Sequence, residues 1–370
     1  MKKVLLFALF ILILGSSAYA EIDYNNTNLR HKIGQMLIVG FDGIKLTPDC
    51  ALYDDLINDR ISGVIIFSQG IVGGSKYKNV ENPKQLKKLI SDINKTAKTK
   101  MFITIDEEGG KITRLPKDRG FKAQTLSHRE LGDKDDEMTT YLEAKKIASA
   151  LKDLGFNMNF APCVDLALNP NSEVIFKANR AFSDNPLKVI KHANAYILAH
   201  NQYGILTVLK HFPGHGSISA DSHKGFADAT NTGVKSELDP YRALISNASA
   251  QNVMVSHVYN KNIDEKYPAS MSYKTVTGLL KGELGFSGLI ITDDMQMKAI
   301  SDNYSFEEAI IASINAGCDI IILGNNLVYD GKESAQQFGD VVFKAVQEGK
   351  IDPKRIDEAY EKITKVKSRL

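Results

Sequence analysis

Apolar residues in this chain fall in short, nearly continuous runs rather than in alternation. The runs cover residues 35–41, 63–67, 101–105, 158–162, 205–209, 252–257, 289–292 and 319–323. A strand with one wet face alternates polar and apolar positions, whereas a strand covered on both faces does not. These runs therefore predict strands of a parallel sheet buried between helices. Between them lie stretches with helical spacing, near 48–59, 83–97, 138–154, 186–203, 238–250, 275–284, 306–316 and 333–348, and a last one over 352–370. Gly155, Gly204 and Gly317 stand at helix ends, and Pro186 and Pro353 suit first turns.

Eight strands, each followed by a helix, is the count of an α/β fold closed into a single (β/α)8 TIM-type barrel. A doubly wound open sheet shows the same local pattern, since periodicity does not report closure. The longest interruption, 107–137, separates the third strand from its helix, and no linker or repeat divides the chain. One catalytic domain over 21–370 is expected.

The N-terminus reads differently. Lys2 and Lys3 precede an apolar run over 4–14, and small residues end in Ala18-Tyr19-Ala20. This is the pattern of a cleaved secretory signal over 1–20, so a periplasmic or secreted protein is expected. The run is too short to span a bilayer well, which argues against stable membrane insertion. Glu21 stands where lipoprotein processing needs a cysteine. Without Lys2 and Lys3 the formal charge of +2 falls to zero. No basic stripe remains for nucleic acid, and a neutral or weakly anionic sugar fits better as substrate. Cys50, Cys163 and Cys318 are too widely spaced to make a disulfide framework, and buried thiols are expected at 163 and 318.

Unusual polar residues gather where the predicted strands end: Asp106, Asp165, Lys210 with His211, His257, Asp293 and Asn325. That is the face on which barrel enzymes build their sites. The densest stretch is KHFPGHGSISADSH (210–223), in which three histidines, a lysine and an aspartate are interleaved with glycines. It reads as an active-site loop rising from a buried strand. Asp221, two positions before His223, can orient that imidazole and favour its protonated form. Ser222 lies between them without a Gly-x-Ser-x-Gly elbow, so a Ser-His-Asp triad does not fit. His211, His215, Asp221 and His223 form an alternative metal set. Pro213 and Gly214 break the helix that His-Glu-x-x-His chemistry requires, and no metal or cofactor is expected. In the acidic, glycine-rich stretch after the third strand, Glu108 and Arg114 read as an ion pair. Of Asp293 and Asp294 only one is expected to face the pocket, because neighbours in a strand point oppositely. His257 reads as a satisfied core histidine.

Several of these stretches carry a family resemblance over about 33–363. The chain resembles glycoside hydrolase family 3, in particular bacterial β-N-acetylhexosaminidases that release N-acetylglucosamine from peptidoglycan fragments. The 210–223 stretch looks like the signature of that branch. IDEEGGKITR (105–114), NFAPCVDL (159–166), NRAFSDNP (179–186) and ITDDM (291–295) are similar to its other segments. The resemblance implies a retaining exo-glycosidase in which Asp293 is the nucleophile, His223 the general acid/base and Asp221 its partner. It implies that Asp106, Arg180, Lys210 and His211 bind the sugar ring, with no metal and with a small wall fragment as substrate of a monomer. Lys111 and Glu107 depart from the family pattern, where arginine and glutamine or histidine are usual, and bear on fine specificity. Export is a larger departure, because many relatives work in the cytoplasm. A metal-dependent barrel hydrolase, a non-catalytic sugar-binding protein and a phosphorolytic variant are the alternatives; chelator, product and phosphate dependence separate them.

Overall fold

Ten strands follow one another as Leu37–Gly40 (β1), Gly63–Ile66 (β2), Phe102–Ile105 (β3), Met158–Asn159 (β4), Leu206–Phe212 (β5), Ala227–Asp228 (β6), Asn252–Val255 (β7), Val258–Tyr259 (β8), Leu289–Asp294 (β9) and Ile320–Leu323 (β10). All but β6 and β8 run parallel in a closed barrel, in the order β1-β10-β9-β7-β5-β4-β3-β2. β1 pairs with β2 on one side and β10 on the other, which shuts the ring. The open-sheet alternative is thereby excluded. This computed structural model describes residues 27–71, 77–327 and 334–370. The segment 1–20, read as an export signal, lies outside these residues, as does position 333 of one expected helix.

The barrel strands are buried along almost their whole length, which is why their sequences lack alternation. The surrounding helices begin and end on local chemistry. Asn82, Ser127, Asp136, Asn185, Ser305 and Asp352 each accept a backbone N–H in the first turn of the helix that follows. Gly155 and Gly317 end helices Glu137–Leu154 and Phe306–Ala316 with φ of 100° and 113°, a conformation that penalises any Cβ. Among the described residues no helix is long and apolar enough to cross a membrane.

Four local readings need correction. β4 is only two residues long: the Ala161 N–H turns back onto the Asn159 carbonyl at 2.8 Å, and Pro162 after it has no N–H to resume the ladder. β5 instead continues through Phe212, which pairs with Val255, so Lys210 and His211 are strand residues rather than loop. The chain after β7 leaves the barrel early, and β8 pairs with β6 in a small sheet above the barrel rim. Finally, the stretch between the expected signal and β1 contains helix Thr27–Gly34, whose pattern is weak because Leu29 and Ile33 are its buried apolar side chains among the described ones. It is held to the C-terminal helices by Arg30–Asp340 at 2.8 Å and Lys32–Asp357 at 2.7 Å.

Candidate active site

The C-terminal ends of the strands surround a cavity of about 610 Å³, within the usual range for a small-ligand site. Asp106, Arg180, Lys210, His211, His223, Asp293 and Asp294 line it, together with Glu108 and Arg114.

Its floor is a chain of alternating charges. Lys210 Nζ lies 2.8 Å from Asp106 and 2.7 Å from Glu108. Glu108 in turn takes a forked pair of bonds from Arg180, Nη2 at 2.8 Å and Nε at 3.0 Å. The same Nη2 lies 3.0 Å from Nε2 of His211. Because a guanidinium only donates, His211 accepts there and gives its Nδ1 proton to Asp165 at 2.6 Å. Asp165 also receives the backbone N–H groups of His211 and His215. Burial opposes the charge on Asp106, Glu108 and Asp165, yet all three stay below the ordinary carboxylate range. Lys210 and Arg114 hold Asp106 down, Arg180 and Lys210 hold Glu108 well down, and His211 brings Asp165 to about 2. The expected Glu108–Arg114 pair is therefore not formed: Glu108 has two nearer cations, and Arg114 approaches Asp106 at 3.7 Å.

Glu107 faces away from the cavity. Its carboxylate accepts Thr113 Oγ1 at 3.0 Å and the Arg114 N–H at 2.7 Å, and burial pushes its pKa up to about 7. It shapes the glycine turn that delivers Arg114.

At the end of β9 both carboxylates of the Asp-Asp pair reach the cavity, contrary to the strand rule. The strand stops at Asp294, and the chain turns at once, with Gln296 N–H on Asp294 Oδ1 (3.1 Å) and Met297 N–H on its carbonyl (3.0 Å). Before that turn, Ile291 and Asp294 of β9 pair with Ile320 and Ile322 of β10, so β9 carries one extra residue, and this irregularity breaks the strict alternation. Asp293 is acidic: burial opposes its charge, but His257, His211 and His223 outweigh that and bring it to about 2. His257 is the buried, satisfied residue its sequence context suggests, bonded to Ser270 Oγ at 2.7 Å and the Asp294 carbonyl at 2.9 Å. Asn325 stands behind the site, tying Gln296 to the Gly40 carbonyl.

Above the floor, His223 Nδ1 is 2.8 Å from Asp221 Oδ1, which also accepts the His223 backbone N–H at 3.0 Å. That leaves Nε2 to serve the cavity. Burial pulls the imidazole down, but the bond to Asp221 and the charge of Asp293 outweigh it, so His223 holds its proton above the ordinary imidazole range. Among the described residues, Cys163, Asp165 and His211 are the one group of potential metal ligands converging within 4.8 Å. Their donors are already bonded to one another, and burial raises the Cys163 thiol well above its usual range. A hydrogen-bonded support for His211 accounts for them. All three cysteines are free. Glu108 and Arg114, expected only as a structural ion pair, are cavity residues; their place in the acidic, glycine-rich loop after β3 was the available signal.

A closed parallel barrel with an ionised carboxylate and an Asp-supported imidazole at its C-terminal rim defines a barrel enzyme equipped for nucleophilic and acid–base chemistry. The chain belongs to glycosyl hydrolase family 3: the Glycosyl hydrolase family 3 N terminal domain matches residues 28–366. It is 29% identical to beta-hexosaminidase A of Pseudoalteromonas piscicida over 96% of this chain and 63% of that protein. It is 33% identical to a beta-hexosaminidase of Photobacterium profundum, over 72% and 75% of the two chains. Among solved structures it superposes with a TM-score of 0.80 on a family 3 beta-N-acetylglucosaminidase from a Paenibacillus species, at 30% identity and over 92% of this chain. The chain spans 63% and 62% of the lengths of the Pseudoalteromonas and Paenibacillus proteins.

Proposed function

We propose that this protein is an exo-acting, retaining β-N-acetylhexosaminidase that removes terminal β-linked N-acetylglucosamine from peptidoglycan fragments after export to the periplasm or medium. The observation that carries the reading is the pairing, in one cavity, of an ionised Asp293 with a His223 that keeps its proton on Asp221. The names carried by the relatives favour the same activity.

In the first step an Asp293 oxygen attacks the anomeric carbon as the bond to the leaving oxygen breaks, and His223 Nε2 gives that oxygen its proton. In the second step the now neutral His223 takes a proton from water. The water oxygen attacks the same carbon and releases the Asp293 carboxylate. Two displacements at one carbon retain its configuration. Asp106, Arg114, Arg180, Lys210 and His211 supply the donors and acceptors that grip the hydroxyl groups of the sugar. Because they are already bonded to one another, they are held in place before substrate arrives.

Nitrophenol release from the aryl N-acetyl-β-glucosaminide, in chelator and with or without phosphate, tests the activity. The substrate is then tested by incubating the protein with an N-acetylglucosaminyl wall disaccharide and with chito-oligosaccharides. Single N-acetylglucosamine units released from the non-reducing end, fastest from the wall disaccharide, are expected. Chelator-sensitive turnover, a sugar phosphate product or internal cleavage would overturn the reading.

A further inference from the structure

Between β5 and β6 the chain makes an excursion that carries His223, and two separate sets of contacts hold it. The root is clamped. Glu237 accepts the N–H groups of Gly216 (2.8 Å) and Ser217 (3.1 Å) and the Ser217 hydroxyl (2.8 Å). Asp165 accepts the His215 N–H at 2.9 Å, and Asn169 N–H donates to the Gly216 carbonyl at 3.1 Å. Gly216 sits so close to Leu166 that a Cβ there would stand 1.8 Å from the Leu166 carbonyl oxygen.

The far side is tied through Ser222. Its hydroxyl lies 3.3 Å from His215 Nε2, and its carbonyl accepts the Ala299 N–H at 3.2 Å. Ser222 is only 3% exposed, while the side chain of its neighbour His223 is 47% exposed. Ala299 belongs to the short helix Lys298–Ser301, which follows directly on the turn after Asp293 and Asp294. Ser222 thus joins the segment bearing the imidazole to the clamped root and to the continuation of β9.

His215 is an expensive residue for packing alone. It is 4% exposed, and among the described residues its Nδ1 has no hydrogen-bond partner; an apolar side chain would avoid that cost. Burial keeps its pKa near about 4, so the ring stays uncharged around neutrality and the contact to Ser222 does not titrate away there.

We infer that His215 and Ser222 are positioning residues that latch the His223 segment to its own root and to the chain following Asp293, holding the acid/base over the cavity. The inference rests on His223 being the acid/base of the proposed glycosidase.

The chemistry sets the readout. A sugar leaving group needs the His223 proton in order to depart, whereas nitrophenolate leaves almost without it. Ser222→Ala is therefore expected to lower kcat/KM on an N-acetylglucosaminyl disaccharide by about tenfold, and on the nitrophenyl glycoside by less than about twofold. The ratio of the two constants does not depend on the folded fraction, so a variant that merely folds poorly leaves it at the wild-type value. Ser222→Cys, which nearly keeps the volume and weakens the hydrogen bond, shifts the ratio in the same direction and serves if the alanine variant is inactive. A wild-type ratio in the variants overturns the latch. A wild-type protein that hydrolyses neither substrate would instead sink the functional reading beneath it.

Discussion

Asp293 and Asp294 are neighbours in the chain, both face the cavity, and they hold their protons in opposite ways. Asp293 Oδ1 accepts the Asp294 N–H at 2.8 Å and, flanked by three histidines, is held at about 2. Asp294 is raised to about 6, chiefly by burial, despite the N–H groups of Gly324 and Gln296 on its Oδ1. At neutral pH the first is fully available as a nucleophile. Asp293→Asn is expected to lower kcat on the aryl glycoside by at least about a thousandfold. Asp294→Asn keeps the Oδ1 acceptor and should stay within about tenfold of wild type. Equal losses in the two variants would contradict the assignment.

The pH profile follows from His223. Its raised pKa means the proton-donating form is complete at low pH and is lost as pH rises through the folded value. On an N-acetylglucosaminyl disaccharide, whose leaving group needs that proton, the basic limb of kcat/KM should therefore lie above the ordinary imidazole value of about 6.5. Asp221→Asn removes the partner that opposes desolvation most strongly, so its basic limb should move to lower pH. A limb that stays in place would show that another group titrates.

Stability should depend on a different set of histidines. His128, His200 and His215 are each pushed down to about 4 by burial. Between the unfolded value near about 6.5 and the folded value, the unfolded chain binds more protons than the native one. Stability is then lost as pH falls through that window. Glu107 and Asp294, raised to about 7 and about 6, act in the opposite sense over the same window, so the test is a difference: between pH 7 and 4 the urea midpoint of His200→Gln should fall less than that of the wild type, and parallel profiles would mean that this ring is hydrated.

Glu108 is buried between two cations, and Glu108→Gln leaves Lys210 and Arg180 undercompensated. Removing one partner of such a network costs about 3–5 kcal/mol. The expected outcome is a lower urea midpoint together with a raised KM, because Arg180 and Lys210 lose the anchor that aims them. Unchanged stability would show that Asp106 and solvent can replace it.

The barrel and most of the site were legible because burial on both faces and strand-end chemistry leave local traces. The runs at 63–67 and 319–323 contain β2 and β10, and Asp106, Lys210, His211 and Asp293 all line the cavity. Asp221 and His223 are only two positions apart in sequence, so their bond could be anticipated. What was not legible depends on long-range choice. Glu108 has cations at positions 114, 180 and 210 to choose from, and only the closed barrel puts the last two nearest. The loss of alternation at Asp294 comes from one extra residue in β9 against β10, a register shift that local propensity does not mark. The role of Ser222 depends on Ala299, which lies 77 positions further along the chain.

The most direct measurement is the mass of the protein after reaction, in chelator, with a fluorinated N-acetylglucosaminide that forms the intermediate faster than water can remove it. The account predicts a gain of one sugar residue on the peptide containing Asp293, absent in Asp293→Asn. Turnover of the ordinary aryl substrate with no adduct, or an adduct on any other residue, would contradict it.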